Sequence, residues 1–307
     1  MDVRRLELLR ELADRGSITA VAAATNRTAS AVSQQLKVLE REAGIALTER
    51  RGRGIELTGA GRVLAQTATD VAVALERADA LWEDFKQAPR GHVTLTTFPT
   101  GGQMLLPGVL STVASVPGLT LTCSDQDPLL PDFADLTPDF DIVVADAPGV
   151  LPSWRERGLS VVRLMTEPLD VALPEDHPLA AKASISPRDV IDESWIGSPE
   201  GFPFDRIVRQ VEAINGSPAR VSQRFTDNGI MESIVAAGHG IAILPRYTTR
   251  DHENGLVTRP LTGVKSQRVI SALLRPDRAE RPSVRVVVDA LRAEAARVQR
   301  EHEPAAG

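Results

Sequence analysis

The sequence predicts an α+β multi-domain protein, and three observations carry that prediction. The first 58 residues read as three short helices and a hairpin; residues 60–87 form one long heptad-patterned helix; beyond residue 90 strands and helices alternate. With 42% hydrophobic and 25% charged residues over 307 positions, the chain has apolar material for several cores. No stretch approaches the roughly 20 uninterrupted apolar residues of a membrane span. The charged start "MDVRRLELLRELADRG" has no small-residue cleavage site, so no secretory signal is expected and the expected address is cytoplasmic. A single cysteine, Cys123, excludes an internal disulfide and a Cys-based zinc site.

Taken in order, Leu6, Leu9, Leu12 and Ala13 recur at a helical period and Gly16 ends that helix. Ser17 or Thr19 is placed to cap a short alanine-rich helix over about 19–24, and "TNRT" breaks it at Asn26, which tolerates a left-handed turn. Thr28 caps the third helix, "SAVSQQLKVLERE", whose inner stripe is Val32, Leu36 and Leu39 and which Gly44 stops. "LTERRGRGIELT" (47–58) is a hairpin tipped by arginines and glycines. This order of elements is a winged helix-turn-helix. From Ala60 to Gln87 the apolar positions Leu64, Ala68, Val71, Leu75, Ala78, Trp82 and Phe85 alternate by four and three, a seam for self-association. A surface helix packed on its own domain is the alternative. "APRGH" (88–92) is a hinge, after which near-continuous apolar strands such as "DIVVA" point to a parallel sheet covered on both faces.

Net charge is −6, but residues 15–62 carry eight basic against four acidic side chains, an island suited to a polyanion. With the inner stripe buried, Ser30, Ser33, Gln34 and Lys37 face outward from the half of a helix that enters the major groove, where serine and glutamine read base edges. Arg50, Arg51 and Arg53 at the hairpin tip are placed to grip phosphate.

The stretches "LELLRELADRGSITAVAAA", "SAVSQQLKVLERE" and "GIALTERRGRGIELTGAGRVLA" resemble the first helices, recognition helix and wing of the LysR-type transcriptional regulators. "GHVTLTTFPTGG", "EPLDVALPEDHPLA" and "VAAGHGIAILP" continue the likeness more weakly. The resemblance implies a winged helix-turn-helix over 1–60 and a linker/dimerisation helix over 61–88. It further implies an α/β effector module over 89–307 of two Rossmann-like subdomains, about 92–163 with 269–307 and about 164–268. It implies DNA contacts by Ser30, Ser33 and Gln34, with Arg50 and Arg53 on the wing. The residues themselves add Thr28, Lys37 and Arg51 to the expected DNA-binding set, and the heptad seam adds Leu64, Val71, Leu75, Trp82 and Phe85 for pairing. Its expected partners are a double-stranded operator, a small-molecule effector and further copies of the chain in a dimer or tetramer, with RNA polymerase a further candidate. Thr25, Arg27, Ala29 and Thr48 depart from the usual pattern, which touches base preference rather than fold.

"FPTGG" (98–102) ends a strand and opens a helix, with Thr100 placed to cap it and the amides around Gly101, Gly102 and Gln103 placed for an anion. Ser198, Phe202 and Asn228 belong to the strand ends and helix start across the expected cleft, and the lobes would move about crossovers near 162–166 and 267–270. His92, His177, His239, His252 and His302 lack metal-ligand spacing, and no nucleophile elbow or phosphate-binding loop occurs, so neither a metal nor a cofactor is expected. Cys123 reads as a buried small hydrophobe. Judged by residues alone, an enzyme or solute-binding protein with an N-terminal helical oligomerisation arm stays open as the alternative.

Overall fold

A computed structural model describes residues 1–51, 54–85, 90–250 and 255–302. The Asp2 carboxylate accepts a hydrogen bond from the Arg4 amide and starts α1 (Val3–Arg15), which ends at Gly16 with φ of 69°. Ser17 caps α2 (Ile18–Ala24), Asn26 turns at φ 52°, and Thr28 caps α3 (Ala29–Ala43) by accepting from the Ala31 amide. Leu9, Val21, Val32 and Leu39 are fully buried together between these helices. The wing is the antiparallel pair β1 (Thr48–Arg51) and β2 (Gly54–Leu57). Glu40 fastens it to α3: its carboxylate accepts from the Leu47 and Thr48 amides at 3.0 and 2.9 Å and from the Thr48 hydroxyl at 2.9 Å. The Thr48 hydroxyl thus completes a polar clamp.

Next, α4 (Gly59–Phe85) crosses the base of the wing at Gly61, where a Cβ would lie 2.0 Å from the Leu47 carbonyl oxygen. Only glycine lets the two backbones approach so closely. Along α4 the expected seam divides. Ala68 is buried and Leu64 half-buried in the winged-helix core, Val71 is half-buried, and Leu75 and Trp82 are exposed, as are Val63 and Leu81 beside them. The side chain of Phe85 and the whole of Arg53 lie outside the described residues, as does His252.

The C-terminal module follows as β3 (Gly91–Thr97), α5 (Pro99–Ala114), β4 (Leu119–Asp125), a 3-10 turn (Leu130–Leu136), β5 (Ile142–Ala147), α6 (Pro152–Glu156) and β6 (Ser160–Pro174). Then come β7 (Ser194–Gly197), α7 (Pro203–Asn215), β8 (Arg220–Arg224), α8 (Asn228–Ala236), β9 (Ala242–Pro245) and β10 (Leu256–Pro260). Finally β11 (Gln267–Leu274), α9 (Pro276–Glu280) and α10 (Pro282–His302) return to the first lobe. The main sheet runs β10-β6-β11-β5-β3-β4, with β9 also on β6.

That sheet is mixed, not parallel as expected. β3 is parallel to β4 and β5, but β11 is antiparallel to both β5 and β6. The cause is the two-lobe design. β6 runs outward from the first lobe, pairing β9 and β10 in the second, and β11 brings the chain back beside it. An outbound and a returning strand that lie side by side must be antiparallel. Separate cores form about Leu95, Ile142 and Leu291 in the first lobe and about Val171, Trp195 and Ile243 in the second. Cys123 sits on the edge strand β4 and is half-buried rather than buried; partial burial pushes its thiol up.

The winged helix docks on the module through buried charge. Arg275, just beyond β11, donates to Glu11 Oε1 at 2.7 Å, Arg10 lies 3.0 Å from Asp277, and Arg15 donates to Asp139 at 2.8 Å. Arg10, Glu11, Arg275 and Asp277 are all buried. Burial pushes the Glu11 carboxyl up, but the hydrogen bonds from Arg275 and Arg15 outweigh it and hold the group below its usual range. At Asp277 burial is likewise outweighed, by the charges of Arg10 and Arg275.

Candidate DNA-reading face and ligand cleft

Because Val32, Leu36 and Leu39 are drawn inward, the opposite side of α3 presents Ser30, Gln34 and Lys37 to solvent, with Ser33 half-buried beside them. Thr28 is exposed, but its hydroxyl is engaged: it caps α3 and lies 3.0 Å from the Ser30 hydroxyl. Gln35, one residue on, turns inward and accepts from Arg5 at 3.1 Å. On the wing, Arg50 and Arg51 are exposed, and Arg51 donates to Glu56 at 2.9 Å across the hairpin, which offsets part of its charge. The face therefore combines hydroxyl, amide and ammonium groups on one rigid helix with a guanidinium beside it.

Between the two lobes lies a cavity of about 390 Å³. It opens at the carboxyl ends of β3 and β5 and is lined by Thr100, Gln103, Ser198, Phe202 and Asn228 among the expected residues. Gly101 and Gly102 do not line it. A Cβ on Gly101 would lie 2.7 Å from the Phe98 ring and from the Thr97 hydroxyl, and one on Gly102 3.1 Å from the Thr97 methyl, so both glycines serve the close packing of α5 against β3.

The expected cap is also corrected. The helix begins at Pro99, so Phe98 takes the cap position without a side-chain bond and Thr100 lies inside the first turn. The Gly102 amide donates to the Phe98 carbonyl at 3.0 Å and is spent within the helix. Thr100 Oγ1 instead accepts from Arg268 Nη2 at 2.8 Å. Across the cleft Ser198 is buried, and its hydroxyl accepts from the Asp205 amide at 3.0 Å, holding the first turn of α7.

Arg268, absent from the sequence reading, organises the cavity floor. It is buried at the start of β11, bound to Glu167 at 2.6 Å and to Asp146 at 3.1 Å, and its guanidinium stands 4.7 Å from the centre of the Phe98 ring and 5.8 Å from that of Phe204. Asp127 faces the same cavity and, among the described residues, makes no hydrogen bond or ion pair. Much of its surface opens to the cleft, yet protein encloses it on the remaining sides. That burial, together with the Asp146 charge and against the pull of Arg268, pushes its carboxyl up to about 6.

Among the described residues no group of His, Cys, Asp or Glu is arranged to hold a metal ion, and no helix is long and apolar enough to cross a membrane. His177 lies 3.4 Å from Glu193, and its Nδ1 accepts from the Leu179 amide, a local brace for a 3-10 turn.

A winged helix tied by a long helix to a two-lobed α/β module with a cleft defines a DNA-binding regulator with a separate ligand-binding module. Residues 3–62 match the bacterial regulatory helix-turn-helix protein of the lysR family, and residues 86–296 match the LysR substrate binding domain. The chain belongs to the LysR family of transcriptional regulators and is not an enzyme. It is 28% identical over 267 residues to the transcriptional regulator MetR of Salmonella typhimurium, covering 86% of this chain and 81% of that protein. Full-length OxyR from Pseudomonas aeruginosa shares the fold with a TM-score of 0.63 at 22% identity, covering 95% of this chain and 98% of that one. Full-length CbnR in complex with its target DNA does so at 0.54 and 20%, covering 96% of this chain and all 100% of that one.

Proposed function

We propose that this chain is a sequence-specific transcriptional regulator whose DNA binding or activation is modulated by a small-molecule effector bound in the cleft between its lobes. Two copies joined along α4, through the exposed stripe that includes Leu75, offer two α3 helices to a two-fold operator, as a dimer or a dimer of dimers. Ser30, Ser33 and Gln34 read base edges while Lys37, Arg50 and Arg53 hold phosphate. The same reading divides the chain into a DNA-binding part over 1–60, a linker over 61–88 and an effector module over 89–307, works in the cytoplasm and allows contact with RNA polymerase. The solved complex of CbnR with its target DNA supports the DNA half of it.

The observation that carries the effector half is β11. One end holds Arg268 in the floor of the cleft, and the residue after the other end, Arg275, is bound to Glu11 of α1 in the winged helix. At the rise of a strand the steps between them span roughly 23 Å, so one rigid element joins both sites. A ligand that prefers one arrangement of the lobes biases the position of β11 and, through Arg275, of α1.

Fluorescence anisotropy with a duplex from the region upstream of the chain's own gene, against a scrambled duplex, tests the reading. Tighter binding of the first is expected, weakening with salt for both. Equal affinity for the two would show that the face does not read sequence.

A further inference from the structure

The cleft's charge points away from the anion that its helix start suggested. Its ionisable groups are Asp127, Asp146 on β5, Asp227 at the start of α8 and Arg268 on β11. Glu167 on β6 stands behind Arg268, and Arg206 on α7 acts on Asp146 from outside the lining. Even with Arg206 included, four carboxylates face two guanidinium groups.

Most of these charges are committed. Arg268 gives its Nε to Glu167, its Nη1 to Asp146 and its Nη2 to Glu167 and Thr100, leaving little donor capacity for an incoming anion. Asp227 accepts from the Ile230 amide at 3.0 Å and caps α8. Asp127 alone among the described lining carboxylates has no such partner. The remaining walls are uncharged: Phe202, Pro99 and Pro203 give an apolar side, and Gln103, Thr226 and Asn228 a neutral polar one. The cleft already stabilises one cation, Arg268, by carboxylates below and aromatic faces at the side, the arrangement that suits a second.

On the reading of the cleft as an effector site, we infer that its effector carries a positively charged nitrogen, a primary ammonium or a guanidinium, which pairs with Asp127 while an apolar body rests on Phe202. Such a ligand supplies the partner that Asp127 lacks and offsets the repulsion between Asp127 and Asp146. Because the Asp127 carboxyl titrates at about 6, the affinity for an amine should rise as pH increases through that value and level off above it.

The test uses the full chain and matched probes: phenethylamine against hydrocinnamate, cadaverine against pimelate, and butylamine against valerate, so that within each pair only the charged end groups change sign. Binding is followed by thermal shift and by calorimetry. At least one amine should raise the melting temperature while its matched acid does not. Asp127→Asn should weaken that amine by about ten- to a hundredfold, the worth of a charge-assisted hydrogen bond, and should abolish the rise with pH. Acids binding as well as amines, or amine binding unchanged by Asp127→Asn, would overturn the cation assignment. If acids bind and Phe202→Ala removes that binding, the effector cleft stands and only its charge class falls. No shift with any amine or acid would overturn both.

Discussion

Replacing Arg275 by methionine tests the link between effector module and winged helix most directly. Arg275 is buried and sits among three carboxylates, 2.7 Å from Glu11, 3.4 Å from Asp14 and 3.6 Å from Asp277. Removing one partner from a buried ion network costs about 3–5 kcal/mol when the others are left alone. Here Glu11 keeps Arg15 at 2.7 Å, Asp277 keeps Arg10 at 3.0 Å, and Asp14, a third exposed, is able to take up a proton. These remaining contacts reduce the expected loss to about 2–3 kcal/mol. Hydrogen-exchange mass spectrometry reads it as roughly 30- to 160-fold faster exchange in α1 and α9, with the cores of both lobes unchanged. Bound effector should then cease to alter DNA affinity while its own affinity for the cleft persists. Unchanged exchange in α1, or intact coupling of effector to DNA, would refute the role of β11. The docking should also weaken in acid. Glu11 and Asp277 have lowered carboxyls, so their contribution is present above the ordinary carboxylate range and is lost as pH falls through their folded values. Asp14, raised by burial, contributes in the opposite sense and partly offsets this.

Gln34→Ala should weaken operator binding by about 1–3 kcal/mol and relax sequence preference, whereas Arg50→Ala should weaken all duplexes alike and lower the salt slope; identical effects on operator and scrambled DNA would misplace Gln34. Leu75→Asp should halve the mass measured by light scattering, because it puts a carboxylate into the apolar stripe of α4, and an unchanged mass would assign that stripe to something other than self-association. Gly61→Ala forces a methyl against the Leu47 carbonyl, so about 1–3 kcal/mol of stability should be lost together with wing-dependent DNA affinity, as read by denaturation and anisotropy; wild-type values of both would show that the crossing is looser. Asp127→Asn should raise the ligand-free melting temperature at pH above about 6 and leave it unchanged near pH 3, since a raised carboxyl stabilises the fold only below its unfolded value and loses that contribution as pH rises through the folded one. A melting temperature raised equally at both pH values would point to packing instead.

The winged-helix half was legible because its signals are local. A cap, an inner stripe and a left-handed stop lie within 17 residues of each other in α3, from Thr28 to Gly44, and each acts on its neighbours alone. The cleft was legible only in outline. Proline at the first helical position was itself the signal that α5 begins at Pro99, which leaves Thr100 two residues too deep to cap it. The two glycines after it mark a close helix–strand crossing, and sequence alone does not distinguish that use from an anion cradle. Arg268 was hidden for a different reason. Its partners Asp146, Glu167 and Thr100 lie 122, 101 and 168 positions away, and no local pattern joins them. What the sequence does show is a charged residue opening the apolar run "RVISALL" and an aspartate closing "DIVVAD". A charge inside a strand that is otherwise buried needs a partner of opposite sign, and the antiparallel pairing of β11 with β5 supplies it. The expectation of a parallel sheet concealed that pairing. Once β11 is read as the returning strand, Arg268 and Arg275 become the two ends of one rod, and ligand cleft and winged helix become neighbours along it.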